Sequence, residues 1–185
     1  MSIIIDFSLG DHSSPDGWSS FWAAKAAEFP LAFCEAHVPQ LLQALGIQDP
    51  PEAELLLDWA LVDNTTIQGL NAQYRHKNEA TDVLSFPIYH SAAEALAAVL
   101  ATKQPQILLG QVVVSAEWAE ANCQLDPRTK DLADPLQAYL VDRFFHGTLH
   151  CLGQHHDTDD DYETVITAQN AAIATLFPIP VPTAL

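Results

Sequence analysis

Basic side chains are scarce in this chain: seven Lys and Arg stand against 24 Asp and Glu, for a formal net charge of −17. So thin a supply of cations excludes a broad face for the phosphate backbone of nucleic acid, which needs a continuous basic surface. A small local cluster is still compatible with it, and an acidic face suits docking to a basic protein. No apolar run approaches the roughly 18 residues of a membrane span, so no membrane partner is expected. The start, MSIIIDFSLG, lacks the basic n-region of a secretory signal. Cysteine is sparse as well. Cys34, Cys123 and Cys151 are odd in number and form no C-x-x-C pair, which points to a reducing, cytoplasmic setting.

Histidine is where the chain is locally rich. Four of its eight histidines lie between 146 and 156, within the string HGTLHCLGQHH. His146 and His150 are four residues apart, so on a helix their imidazoles share one face and can meet one ion. Gly153 can end that helix in the left-handed conformation that other residues reach only at a cost. The chain can then return and supply a third nitrogen. The three-residue step from Gly153 favours His156 as that ligand, with His155 as the alternative. Three protein ligands leave a fourth tetrahedral position open, the arrangement of a catalytic zinc, so one zinc per chain is expected. Proteases with this histidine spacing carry Glu after the first His as general base. Here that residue is Gly147. The ligand spacing is present and the protease base is missing. His12, His37, His76 and His90 have no partners at ligand spacing and are assigned to surface or packing.

The length and the 49% hydrophobic content suit one domain over residues 1–185. Strands are predicted at Ile3–Phe7, Glu54–Val62, Thr81–Ile88 and Leu108–Ser115, with Pro87 marking the third as an edge or a strand end and the apolar fourth as central. Residues 9–19 read as a loop. A helical stretch over 18–45, divided at Pro30, stops before Pro50 and Pro51. The run Asp63-Asn64-Thr65-Thr66 offers N-cap residues for a helix carrying Ile67, Leu70, Asn71 and Tyr74. Residues 91–103 suit a surface helix. Asp134 and Pro135 open the histidine helix, which is expected to reach about Leu152 with Val141, Phe145, Leu149 and Leu152 on its core face. The acids at 157–161 lack the Gly and Glu of a calcium loop and suit a helix N-terminus instead. The fold class that follows is α+β: a small mixed sheet of about four strands packed with helices.

A second string, LNAQYRHKNEATDVLSFP from Leu70 to Pro87, puts Arg75 and Lys77 together in a polar loop. Together the two strings resemble the YbeY family of bacterial rRNA maturation factors, described as single-strand-directed, metal-dependent endoribonucleases. The match falls on His146, Gly147, Leu149, His150, Gly153 and His156, and on Leu70, Asn71, Tyr74, Arg75 and the run Thr81–Pro87. A third family string is echoed by LGQVVVS, Leu109–Ser115. The resemblance runs from about residue 53 to 175. Gln154 and His155 depart from the family's Tyr-Asp, Cys151 from its Leu and Gln111 from its Asp, and residues 90–107 look like an insertion. An Asp that could orient a ligand imidazole is thus missing at two places; Asp157, or Asp142 one turn before His146, is the candidate replacement.

The resemblance implies a zincin-like metal helix beneath an edge strand. It also implies a zinc-dependent endoribonuclease of single-stranded RNA that acts in ribosomal RNA processing, with a ribosomal protein as a further partner. Arg75 is then expected to stabilise charge at the phosphorus and, with Lys77, to bind substrate. Arg143 is expected to join them as a phosphate contact. Because Gly147 offers no base, the proton acceptor is another side chain, a zinc-activated water or the RNA's own 2′-OH. Two rivals remain: a ribosome assembly factor whose metal only holds the fold, and a zincin-type hydrolase of another bond.

Overall fold

A computed structural model describes residues 2–9, 54–91, 94, 97–98, 101, 106–151, 153, 162–163, 166–167 and 169–170. The expected helix over 18–45, the loop that precedes it, the acids at 157–161 and the proline-rich tail lie outside the described residues. Four strands form one mixed sheet in the order β1-β2-β4-β3. They are β1 (Ser2–Leu9), β2 (Glu54–Val62), β3 (Val83–Pro87) and β4 (Gln106–Ser115). β1 and β4 both run parallel to β2, whereas β3 lies antiparallel to β4. Pro87 ends the edge strand, where its missing N–H costs no ladder bond. β4 is central, and Val112, Val113, Val114 and Ser115 are all buried, as a strand covered on both faces requires.

Parallel strands cannot be joined by a tight hairpin, and the crossover from β2 includes α1 (Asn64–Arg75). Asp63 caps this helix, its carboxylate accepting from the Thr66 N–H at 2.7 Å, which satisfies a donor that would otherwise lack a partner. Ile67 of α1 packs with Ala60, Leu84 and Val113, one face of the sheet. The opposite face receives α3 (Pro135–Cys151), following the short α2 (Ala116–Asn122). Asp134 opens α3 by accepting from the Gln137 N–H at 3.0 Å. Trp59 of β2 stacks on Phe144 of α3 with centroids 4.6 Å apart and donates its Nε1–H to Thr148 at 3.2 Å, so its one polar atom is satisfied within the core.

The core face of α3 is wider than the apolar periodicity predicts. Val141, Phe145 and Leu149 are buried, and so are Ala138, Tyr139, Leu140, Phe144, Thr148 and Cys151. Gly147 explains how the helix sits so deep. A Cβ built there would stand 2.3 Å from Val112 Cγ1, far inside the roughly 3.5 Å of ordinary contact. Gly147→Ala is therefore expected to destabilise by about 1–3 kcal/mol through overpacking, despite the roughly 1 kcal/mol helix-propensity advantage of alanine. Thermal unfolding checks this: a raised midpoint would mean the helix can lift from β4 at little cost.

Candidate metal centre

The four-residue step works as predicted. On α3 the Nε2 atoms of His146 and His150 approach to 3.1 Å, with ring centroids 4.6 Å apart and planes at 86°. Two nitrogens bound at 2.0–2.1 Å to one tetrahedral ion stand roughly 3.3 Å apart, so the pair fits a shared metal. Two residues past the helix, Gly153 adopts φ 79° and its N–H bonds the His150 carbonyl at 2.9 Å. That is the left-handed stop a returning ligand needs. His155 and His156 lie outside the described residues, and among the described residues no three His, Cys, Asp or Glu side chains form a metal-binding group.

Gly147, in the protease-base position, turns toward Val112 on the sheet. The helix rotation that brings His146 and His150 together sends Gly147 into the core, where even a carboxylate would have no room.

Behind His146 lies a charged network that sequence reasoning only touched. His146 Nδ1 stands 3.0 Å from Gln169 Oε1, and Gln169 Nε2 donates to Asp142 Oδ1 at 3.1 Å. Asp142 is almost fully buried yet meets two guanidinium groups. Arg128 reaches it at 3.2 and 3.0 Å, and Arg143 at 2.9 Å. Burial pushes the Asp142 carboxyl up, while Arg128 and Arg143 pull it back. Every one of these contacts comes from an N–H donor, so the geometry holds the carboxylate form. Arg143 also bonds Asp126 at 2.8 Å and lies 4.4 Å over the Tyr139 ring. Its Nε is 2.9 Å from Asp82 Oδ2, but the N–H is not aimed along that line and lacks a hydrogen-bond partner. Burial would raise Asp126, but hydrogen bonds from the Arg128 backbone and side chain, together with the Arg143 charge, hold it below the usual carboxylate range.

Asp82 belongs to the second sequence string and Arg143 to the histidine helix, so this ion pair joins the two motifs. The same network withdraws Arg143 from the role expected of it. With 14% of its side chain exposed and three aspartates around it, it is committed to the fold and is not a free phosphate contact.

Arg75 and Lys77 have a different setting. Arg75 is the last residue of α1, and both side chains are exposed. α1 covers the sheet face opposite α3. His76 takes the C-cap with φ 60°, unusual for a residue other than glycine or asparagine. Asn71, buried, anchors the following loop by donating to the Glu79 carbonyl at 2.8 Å and accepting from the Lys77 N–H at 3.3 Å. Tyr74 meets Phe86 of the edge strand edge-on at 5.1 Å. Asn71 and Tyr74 thus hold the loop with its cations outward.

Gln111 is exposed on β4, so its departure from the family's Asp leaves no gap in the core. Cys151 is buried against β4, where burial pushes its thiol up to about 12, as suits a packed apolar group. Asp126, Arg128 and Gln169 escaped the sequence reading altogether. The one available signal was Asp142–Arg143, a charged pair inside the apolar run YLVDRFFH.

Sheet, helices and convergent imidazoles define an α+β protein with a histidine-built site at the end of a buried helix. The chain belongs to the Endoribonuclease YbeY family, whose model matches residues 23–176, reaching further toward the N-terminus than the sequence motifs did. Among its relatives, Endoribonuclease YbeY of Azorhizobium caulinodans is 34% identical over 87% of both chains. That of Magnetococcus marinus is 29% identical over 72% of this chain and 83% of its own. The solution structure of TM1509 from Thermotoga maritima aligns over 94% of this chain and 91% of that one, at 18% identity and a TM-score of 0.46. No described helix is long and apolar enough to cross a membrane.

Proposed function

We propose that this chain is a zinc-dependent endoribonuclease that cuts single-stranded RNA during ribosomal RNA processing. His146, His150 and His156 hold one zinc in a zincin-like arrangement, and Arg75, helped by Lys77, binds the phosphate. The observation that carries the reading is the 3.1 Å approach of two imidazole nitrogens just before a left-handed glycine. When bound, zinc supplies Lewis acidity toward a phosphoryl oxygen or an activated water. His146 and His150 orient their nitrogens from α3. Arg75 brings a planar fork of donors whose charge matches the negative charge that builds on phosphate oxygens in the transition state. It makes no ion pair among the described residues, in contrast to Arg128 and Arg143. With Gly147 turned into the core, a proton acceptor other than residue 147 is needed, whether the nucleophile is a water or the RNA 2′-OH.

The acidic balance of −17 favours one further reading: an assembly factor that docks a basic ribosomal protein and uses the metal only to hold its fold. Cleavage assays on a single-stranded RNA and its duplex separate the two. Arg75→Ala is expected to slow cleavage on the order of a hundredfold while changing stability by less than about 0.5 kcal/mol, as exposed side chains do. A lowered melting temperature with unchanged cleavage would reverse the role given to Arg75. Absence of cleavage by the zinc-loaded parent on any RNA would leave the assembly-factor reading.

A further inference from the structure

We infer that Gln169 is a positioning residue that sets the tautomer of His146 and thereby turns its Nε2 lone pair outward, toward the metal; the inference rests on the metal reading above. It starts from Asp142. Oδ2 receives Arg143 Nη1 at 2.9 Å and Arg128 Nη2 at 3.0 Å, and Oδ1 receives Arg128 Nη1 at 3.2 Å. A guanidinium only donates, so these oxygens must accept. The group 3.1 Å from Oδ1 on the Gln169 amide must then be its NH₂ end. Oxygen and nitrogen of an amide are distinguished by such a network and not by shape.

Once the NH₂ end is fixed on Asp142, the carbonyl end is fixed on His146. Gln169 Oε1 lies 3.0 Å from His146 Nδ1, and an acceptor there requires a proton on Nδ1. A neutral imidazole carries one proton, so Nε2 is left with its lone pair. Across the 3.1 Å contact between the two Nε2 atoms, His150 must then donate in the metal-free protein. Gln169 and Asp142 are each 1% exposed, which keeps water from competing for either end of the amide.

This arrangement also accounts for an amide where metal sites commonly use a carboxylate to orient a ligand imidazole. A Glu at 169 would set a second carboxylate about 3 Å from Asp142 and repel it. The orienting negative charge is instead held one step back, on Asp142, and passed through a neutral amide to the ring. His146 donates to Gln169 and Gln169 to Asp142, while Arg128 and Arg143 donate to the same carboxylate from the other side.

The test is long-range ¹H–¹⁵N correlation spectroscopy on the full chain, metal-free, near pH 8, above the ordinary histidine range. His146 is expected as the Nδ1–H tautomer and His150 as Nε2–H. In Gln169→Leu, which fills similar space without an acceptor, His146 is expected to become a mixture of both forms. Zinc affinity, read by competition with a coloured chelator, should fall about 10–100-fold. An Nε2–H His146 in the parent overturns the inference without any variant. So does a folded Gln169→Leu with unchanged tautomer and unchanged affinity. If the tautomers are as expected but the parent binds no zinc, the metal reading fails and the orientation of His146 by Gln169 stands.

Discussion

Purified without added metal, the protein is expected to carry about one zinc per chain, and His150→Ala is expected to carry almost none while remaining folded. Removing one of three protein ligands takes away a direct metal–nitrogen bond. Zinc binding by complete four-ligand sites is worth about 10–16 kcal/mol, so one ligand contributes on the order of 3 kcal/mol, more than a hundredfold in affinity. His150 is only partly buried near the end of α3, and its ring meets that of His146. Alanine there opens no cavity in the core and favours helix. Circular dichroism should be unchanged while elemental analysis shows the metal gone, and RNA cleavage should disappear with it. Full zinc occupancy in His150→Ala would sink the assignment of α3 as the metal helix.

Asp142→Ala is expected to cost about 3–5 kcal/mol of stability, the usual result of removing one partner from a buried charge cluster. Among the described residues Arg128 and Arg143 would retain only Asp126 and Asp82, and the Arg143 Nε–H has no aligned acceptor there. The Gln169 NH₂ end would lose its carboxylate as well. For a chain of this size each kcal/mol moves the melting midpoint by roughly 2–4 °C, so a fall of about 6–20 °C is expected. Because the cluster is shielded from solvent, raising the salt should restore little of it. Thermal unfolding at low and high salt provides the check. A loss below about 1 kcal/mol would class these contacts with surface ion pairs.

Local patterns were the legible part of the sequence. The run Asp63–Thr66 announced a cap, because a capping side chain needs only an N–H two or three residues on, and the structure assigns it to Asp63. Pro87 announced the end of a strand because proline cannot donate to a ladder. His146 and His150 announced a shared point because helical geometry alone fixes their spacing. The short helix Ala116–Asn122 was missed: seven residues are too few for periodicity to speak, and its cap, Ser115, also closes a strand. Arg143 was misjudged because a sequence shows that a cation is present and not that three aspartates surround it. Two of them, Asp82 and Asp126, lie 61 and 17 residues away along the chain.

By itself, then, the sequence determined the four strands, the helices at Asn64–Arg75 and Pro135–Cys151, the helical face shared by His146 and His150, the glycine stop at 153 and the family membership that its motifs carry. All of these depend on neighbours within about one helical turn, or on strings read in order. Only the tertiary structure decided that Gly147 faces Val112 and that Asp142 reaches His146 through Gln169. It also divided the cations, committing Arg128 and Arg143 to the interior and leaving Arg75 exposed. Such choices depend on which distant segments pack together, and burial then makes each close contact between charges either satisfied or costly.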